Sequence, residues 1–158
     1  MKGVLINSDT QAQTYLRDIF DMINFNYHDY NWLISYPECY PTEVSFYDLF
    51  MNDYCLVTGE ELFEFVQREN PQWIWGVLSA IPKRYPSSEI LKYALPTSDG
   101  NESLWHNPIT MQNPLAEIEI VAWDSSLTIV KSIYNDIIDN IIKKVPYAVD
   151  LEQYNSSI

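Results

Sequence analysis

The sequence predicts an α+β fold: a mixed, largely antiparallel sheet with about three helices packed on it. Three observations carry this reading. Short runs of strand character recur over 3–6, 30–36, 54–57, 73–81, 116–123 and 127–131. Two apolar stripes at helical spacing and two capping-box patterns mark the helices. The last two strands are separated only by Asp124-Ser125-Ser126, which makes them an antiparallel hairpin.

Each element has its own local reason. After the first strand, Ser8 opens a helix with Gln11 in capping-box register. Ala12, Tyr15, Leu16, Ile19, Phe20 and Ile23 follow as one apolar stripe, and Asn24 and Asn26 end it. Over 30–36, Trp32 and Ile34 point to one face and Asn31, Leu33 and Ser35 to the other. Pro37 and Pro41 bracket a turn-rich segment holding Cys39. Thr58 and Glu61 form a second capping box, Leu62, Phe63 and Val66 supply that helix's apolar side, and Pro71 stops it. Residues 73–81 read as a buried strand with Trp73 and Trp75 on one face, ended by Pro82. Residues 83–115, with Pro86, Pro96, Pro108, Pro114 and the turn signal Ser98-Asp99-Gly100, form an irregular segment with a short strand or helical turn over 90–95.

Over 116–123 the alternation is clean. Ile118, Ile120 and Ala122 face one way, and Glu117, Glu119, Val121 and Trp123 the other. Ile133, Ile137, Ile138, Ile141 and Ile142 form the stripe of a last helix, with Lys143 and Lys144 at its negative end, and 149–154 is a tail that docks. Strand, helix and strand follow one another twice, which suggests parallel crossovers and hence the mixed sheet. Residues 1–158 read as a single domain, long enough to bury roughly 70% of the unfolded chain's surface.

Charge narrows the partners. Nine Lys and Arg against 22 Asp and Glu give −13 at pH 7. Direct binding to nucleic-acid phosphates or to an anionic membrane needs cations and is not expected. No Lys or Arg lies between Arg17 and Arg68, where ten carboxylates stand: Asp18, Asp21, Asp29, Glu38, Glu43, Asp48, Asp53, Glu60, Glu61 and Glu64. Such a surface is soluble in its own right, and it attracts a basic partner. Two cysteines, no apolar run of membrane-spanning length and no basic-then-apolar leader pattern suggest a cytoplasmic protein with reduced thiols.

Several segments resemble a family of small acidic Gram-positive bacterial proteins of unknown function. They are Tyr30-Asn31-Trp32-Leu33-Ile34, Val57-Thr58-Gly59-Glu60-Glu61-Leu62, Ala116-Glu117-Ile118-Glu119-Ile120-Val121, Trp123-Asp124-Ser125-Ser126, Asp150-Leu151-Glu152 and Tyr154-Asn155. The resemblance implies a bacterial, cytosolic, single-domain protein. It carries no activity and no catalytic residue.

The residues that do chemistry elsewhere are sparse. Cys39 has no histidine in a recognised hydrolase context, and Glu38 beside it works against a thiolate; Cys55 reads as core. Two Cys and two His, widely spaced, do not make a zinc pattern, and four glycines leave no phosphate loop. Asp48 with Asp53, and Glu60 with Glu61, are the closest carboxylate pairs, and 22 acids guarantee some such pairs by chance. No cofactor is implied. The aromatic content, 15% of the chain, is the stronger signal. Tyr and Trp beside carboxylates are anchors for protein contacts. The expected contact surface is therefore Glu38, Tyr40, Glu43, Tyr47, Asp48 and Asp53, on a non-catalytic protein that binds a basic protein partner, as an immunity protein or inhibitor does. The alternatives are a small carboxylate-dependent enzyme, with 83–115 as a lid around Trp105 and His106, and a small-ligand sensor with an aromatic pocket.

Overall fold

The computed structural model describes residues 1–11 and 13–158. Seven strands form one sheet: β1 (Lys2–Asn7), β2 (Tyr30–Glu38), β3 (Tyr54–Thr58), β4 (Trp75–Pro82), β5 (Ile118–Trp123), β6 (Leu127–Ser132) and β7 (Ala148–Asp150), in the order β3-β2-β4-β5-β6-β1-β7. Every neighbouring pair is antiparallel. The expectation of a mixed sheet is corrected for a topological reason. The helical crossover from β3 leads to β4, but both strands flank β2, and β1 lies four places from β2. The crossovers therefore never join hydrogen-bonded neighbours.

The described residues hold six helices rather than about three: α1 (Leu16–Ile23), α2 (Val44–Phe50), α3 (Gly59–Arg68), α4 (Ser87–Ile90), α5 (Asn135–Lys144) and α6 (Leu151–Asn155), with 3-10 turns at Tyr27–Asp29 and Glu102–Trp105. α1 starts eight residues after Ser8. The Ser8 hydroxyl accepts from Thr10 and Gln11 N–H, so it closes a local turn instead of capping a helix. Ala12, placed on the same stripe, lies outside the described residues. Asn24 ends α1 in the left-handed conformation (φ 50°), its N–H bonded to the Phe20 carbonyl. The Thr58–Glu61 capping box is present on α3. In α5, Ile138 and Ile141 are buried, while Ile133 precedes the helix and is exposed.

The sheet has two differently covered faces. Trp32, Ile34, Leu78, Ala80, Ile118, Ile120, Ala122 and Val130 pack with α1, α3 and α5. Leu5, Val77, Val121 and Ile129 lie on the opposite face, against Leu104 and α6's Leu151. Leu33 and Ile81 share that face with Ile90. Its cover comes mostly from the irregular segment. The helical turn expected over 90–95 sits earlier, at α4. Trp73 and Trp75 do not share a face. Trp73 is buried among the helices, edge-on to Phe50 at 5.4 Å, whereas Trp75 contacts Trp123 at 5.0 Å. β4 begins only at Trp75, and Gly76 takes φ 144°, so the two-residue alternation does not extend back to Trp73.

A charged pair is sealed under the irregular cover. Glu119 and Lys131 are cross-strand partners, and their side chains are 0% and 4% exposed. The Lys131 ammonium meets Glu119 Oε1 and donates to the Thr110 carbonyl at 2.8 Å. Gln112 donates its backbone N–H to Glu119 Oε2 (2.9 Å) and its side-chain Nε2 to Oε1 (3.3 Å). Gln112 also bonds Thr97 and Asn101. Buried charges persist only when paired and hydrogen-bonded, and this network ties the segment to the sheet.

Candidate protein-interaction surface

The contact surface expected over 36–54 is shaped by the end of β2. A register shift between Ser35 and Glu38 makes a bulge against β4, and Tyr36 at the bulge has φ 46°. Its N–H donates to the Asp53 carbonyl at 2.6 Å, and pairing resumes where Ile74 N–H reaches the Glu38 carbonyl at 2.8 Å. A side chain at Gly76 would press on the Trp73 ring at 3.1 Å and on Pro37 Cα at 3.4 Å, so a glycine lets the bulge sit down on the core.

The chain then turns outward and is held at one point. Glu69, at the end of α3, accepts from Thr42 N–H (2.7 Å), the Thr42 hydroxyl and Glu43 N–H (3.1 Å) through one oxygen. Burial works against its charge, but these donors, with Arg68 beside it, hold its carboxyl below the usual range. α2 follows. Its inner side packs Phe46 and Phe50 edge-on to Phe65 at 4.9 and 5.0 Å. Its outer side leaves Val44, Tyr47 and Met51 exposed, and Asn52 Nδ2 caps its end on the Asp48 carbonyl at 3.1 Å.

The six expected residues separate into groups. Tyr40, Asp53 and the half-buried Glu38 gather with Tyr36 around a hollow of ≈ 290 Å³ floored by Cys39 and Phe50. A second hollow of ≈ 300 Å³ shares Tyr36 and Glu38 and adds Trp75 and Asp99. Tyr47 and Asp48 stand on the outer side of α2 and line neither hollow. Glu43 is half-buried and already engaged, with Arg68 at 2.9 Å. The sequence reading missed α2, Glu69 and Arg68. Phe46, Leu49 and Phe50, at i, i+3 and i+4, were the available helix signal; nothing local announces Glu69 or Arg68 as partners.

Residues 1–95 match the family described as "Protein of unknown function (DUF2691)". The chain belongs to that family. For this DUF2691 member no curated protein and no solved structure matches. The match takes in the whole 36–54 surface and the motifs at Tyr30–Ile34 and Val57–Leu62, and it stops before the long excursion reaches β5.

The other chemistries find these surroundings. Cys39 and Cys55 are buried free thiols. Desolvation pushes both upward, helped by Cys55 and Glu69 for Cys39 and by Glu61 for Cys55, the latter to about 12. Glu60 meets Lys83 at 3.0 Å while Glu61 closes the capping box, so that carboxylate pair is divided between two structural contacts. Trp105 is edge-on to Trp123 at 4.9 Å, and His106 Nδ1 lies 2.8 Å from the Glu102 carbonyl, both within the cover of the sheet. Among the described residues no group of three or more His, Cys, Asp or Glu is placed to hold a metal ion, and no helix is long and apolar enough to cross a membrane.

Proposed function

We propose that this DUF2691 protein is a non-catalytic interaction protein whose acidic, aromatic surface over 36–54 receives a basic protein partner, in the manner of an immunity protein or inhibitor. One observation carries the reading. Tyr36, Tyr40, Val44, Tyr47, Met51 and Tyr54 are all exposed within 19 residues that contain four carboxylates and no Lys or Arg. Large amphipathic side chains supply contact area at low entropic cost, and uncompensated carboxylates steer a cationic partner. Glu38, Asp48 and Asp53 supply that charge, Tyr40 and Tyr47 the anchors, and Glu43 orients α2 through Arg68. The setting that fits is the bacterial cytoplasm, with no direct contact to nucleic acid or membrane.

The test is affinity capture with the full chain and with Asp48→Asn/Asp53→Asn, each at low and high salt. A stoichiometric basic protein, retained at low salt and lost both at high salt and with the double variant, is the expected result. A neutral partner indifferent to salt and to the variant would overturn the proposal.

A second reading has one observation behind it. A hollow of ≈ 520 Å³ lies between α1 and α5, lined by Tyr15, Asp18, Asp21, Lys144 and Tyr147. It suits a small polar ligand carrying a cationic group, and a thermal-shift screen of metabolites at fixed pH tests it.

A further inference from the structure

The free edge of β3 offers a second level of detail. β3 ends the sheet, with β2 on one side only. The bond from Tyr36 N–H to the Asp53 carbonyl fixes the alternation of the β2–β3 ladder. Cys55 and Val57 therefore turn their backbone groups toward β2, and Tyr54 and Leu56 turn theirs outward. Among the described residues neither Tyr54 nor Leu56 donates that N–H to another group of the chain. An unpaired row of this kind is a template for another strand.

The edge is also flanked on both faces of the sheet. On the helical face, a hollow of ≈ 290 Å³ lies between α2 and α3, with Phe46, Leu49, Leu62 and Phe65 among its walls. On the opposite face, a hollow of ≈ 210 Å³ is lined by Asn31, Ser87 and Ile90. Leu56, Val57 and Glu61 line both, so the two hollows meet at the edge. A strand laid along β3 would send successive side chains alternately into one and the other, because side chains alternate between faces. The surrounding charge is negative. Glu61 and Glu64 line the hollows, and Asp53 precedes the strand. Arg68, the cation at the helical-face hollow, is bonded to Glu64 and Glu43.

We propose that the edge of β3 binds an extended segment of a basic protein as an added strand, with apolar side chains in the hollow between α2 and α3 and Lys or Arg side chains in the opposite hollow beside Glu61. This rests on the basic-partner reading above and adds the mode of contact.

The experiment uses the full-length 15N-labelled chain and a capped seven-residue peptide alternating Lys and Val, with an alternating Glu and Val peptide as control. The expected result is amide-exchange protection of Tyr54 and Leu56 raised about tenfold or more at saturation, with binding weakened by salt and absent for the acidic peptide. Leu56→Pro removes one outward donor and is expected to abolish binding. Glu61→Gln leaves the backbone intact and a capping-box residue in place, and is expected to weaken binding several-fold, so the test survives if the proline variant does not fold. No binding of the basic peptide overturns the proposal. Binding whose shifts fall on Tyr40 and Tyr47 without protecting Tyr54 and Leu56 overturns the added strand and leaves the basic-partner reading standing. Equal protection by both peptides overturns the basic character of the occupant. Protection that rises with protein concentration alone assigns the edge to a second copy of this chain, and also overturns the proposal.

Discussion

The helical face of the sheet and its opposite face bury similar kinds of strand residue by different means. On the first, α1, α3 and α5 present apolar stripes, and burial of Ile34, Ile120 and Ile138 needs no polar mediation. On the second, the cover has, among the described residues, only α4, a 3-10 turn and α6 as regular pieces. Its backbone groups lack a helical ladder and are satisfied one at a time. Ser35 Oγ donates to the Pro96 carbonyl at 2.7 Å, Gly76 N–H to Ser98 Oγ at 3.0 Å, and Asn113 Nδ2 to the Ile90 carbonyl at 3.3 Å. The Glu119–Lys131 network belongs to the same pattern. A regular cover is held by area, which tolerates small errors; an irregular one is held by particular polar contacts, each costly to leave unmade.

The strongest way to break this comparison is Lys131→Met. It leaves Glu119 buried without its counter-charge, and the expected loss is about 3–5 kcal/mol by urea unfolding. Adding Glu119→Leu should recover most of it, because the double variant buries no lone charge. A single-variant loss within about 1 kcal/mol, the scale of an exposed ion pair, would mean that the pair is not what holds this cover. Next in size is a matched pair of cavities. Ile138→Ala on the helical face should fall toward the upper end of about 2–5 kcal/mol. Leu104→Ala, in a single 3-10 turn that can settle into the gap, should fall toward the lower end. Equal losses would erase the distinction between a rigid and a yielding cover.

The same contrast explains what could be read in advance. The α3 start was legible because both halves of its capping box, Thr58 and Glu61, lie within four residues. The facing of β5 was legible because Ile118, Ile120 and Ala122 alternate with Val121 and Trp123. Ser8 misled because a serine hydroxyl makes the same local bond in a turn as in a cap. Trp75 misled because β4 starts there, beside a glycine at positive φ. The irregular cover was illegible in kind: Gln112 and Thr110 reach Glu119 and Lys131 through tertiary contacts that no period encodes. At the candidate surface, the exposure of Tyr40, Tyr47, Asp48 and Asp53 followed from composition, whereas the Glu43–Arg68 contact spans 25 positions.

A smaller effect sharpens the helical side. Thr58→Ala removes the side-chain acceptor for Glu61 N–H and the reciprocal geometry of the box, with an expected cost of about 1 kcal/mol. Native-state exchange should show the first turn of α3 opening sooner, with Glu119 and Lys131 amides unchanged. Loss of protection on both faces together would mean that the covers are not independent.

The smallest effect sits at the seam of the two faces. Tyr30, packed on the helical side, donates to Glu117 Oε2 at 2.9 Å, and Tyr134 donates to the same oxygen at 2.8 Å. Burial and then the Glu117 contact raise the Tyr30 phenol well above its ordinary value; for Tyr134 the Glu117 hydrogen bond comes first. Tyr27 is raised as well, chiefly by burial. Each group is thus harder to ionise folded than unfolded. The stability it contributes is whole below about pH 10, the value of a free phenol, and is lost as pH climbs above it. Absorbance titration of the folded protein should show a late-ionising fraction among its twelve tyrosines, which unfolding in denaturant brings back to about pH 10. Tyr30→Phe keeps the ring against Phe25 and removes the phenol, so the late fraction shrinks and the alkaline fall in stability becomes shallower. Glu117→Gln removes the charged acceptor of both phenols and should bring Tyr134 back more fully than Tyr30, which burial still raises, while leaving Tyr27 late. Superimposed titrations of the natural chain and Glu117→Gln would show that the shared carboxylate does not hold the seam.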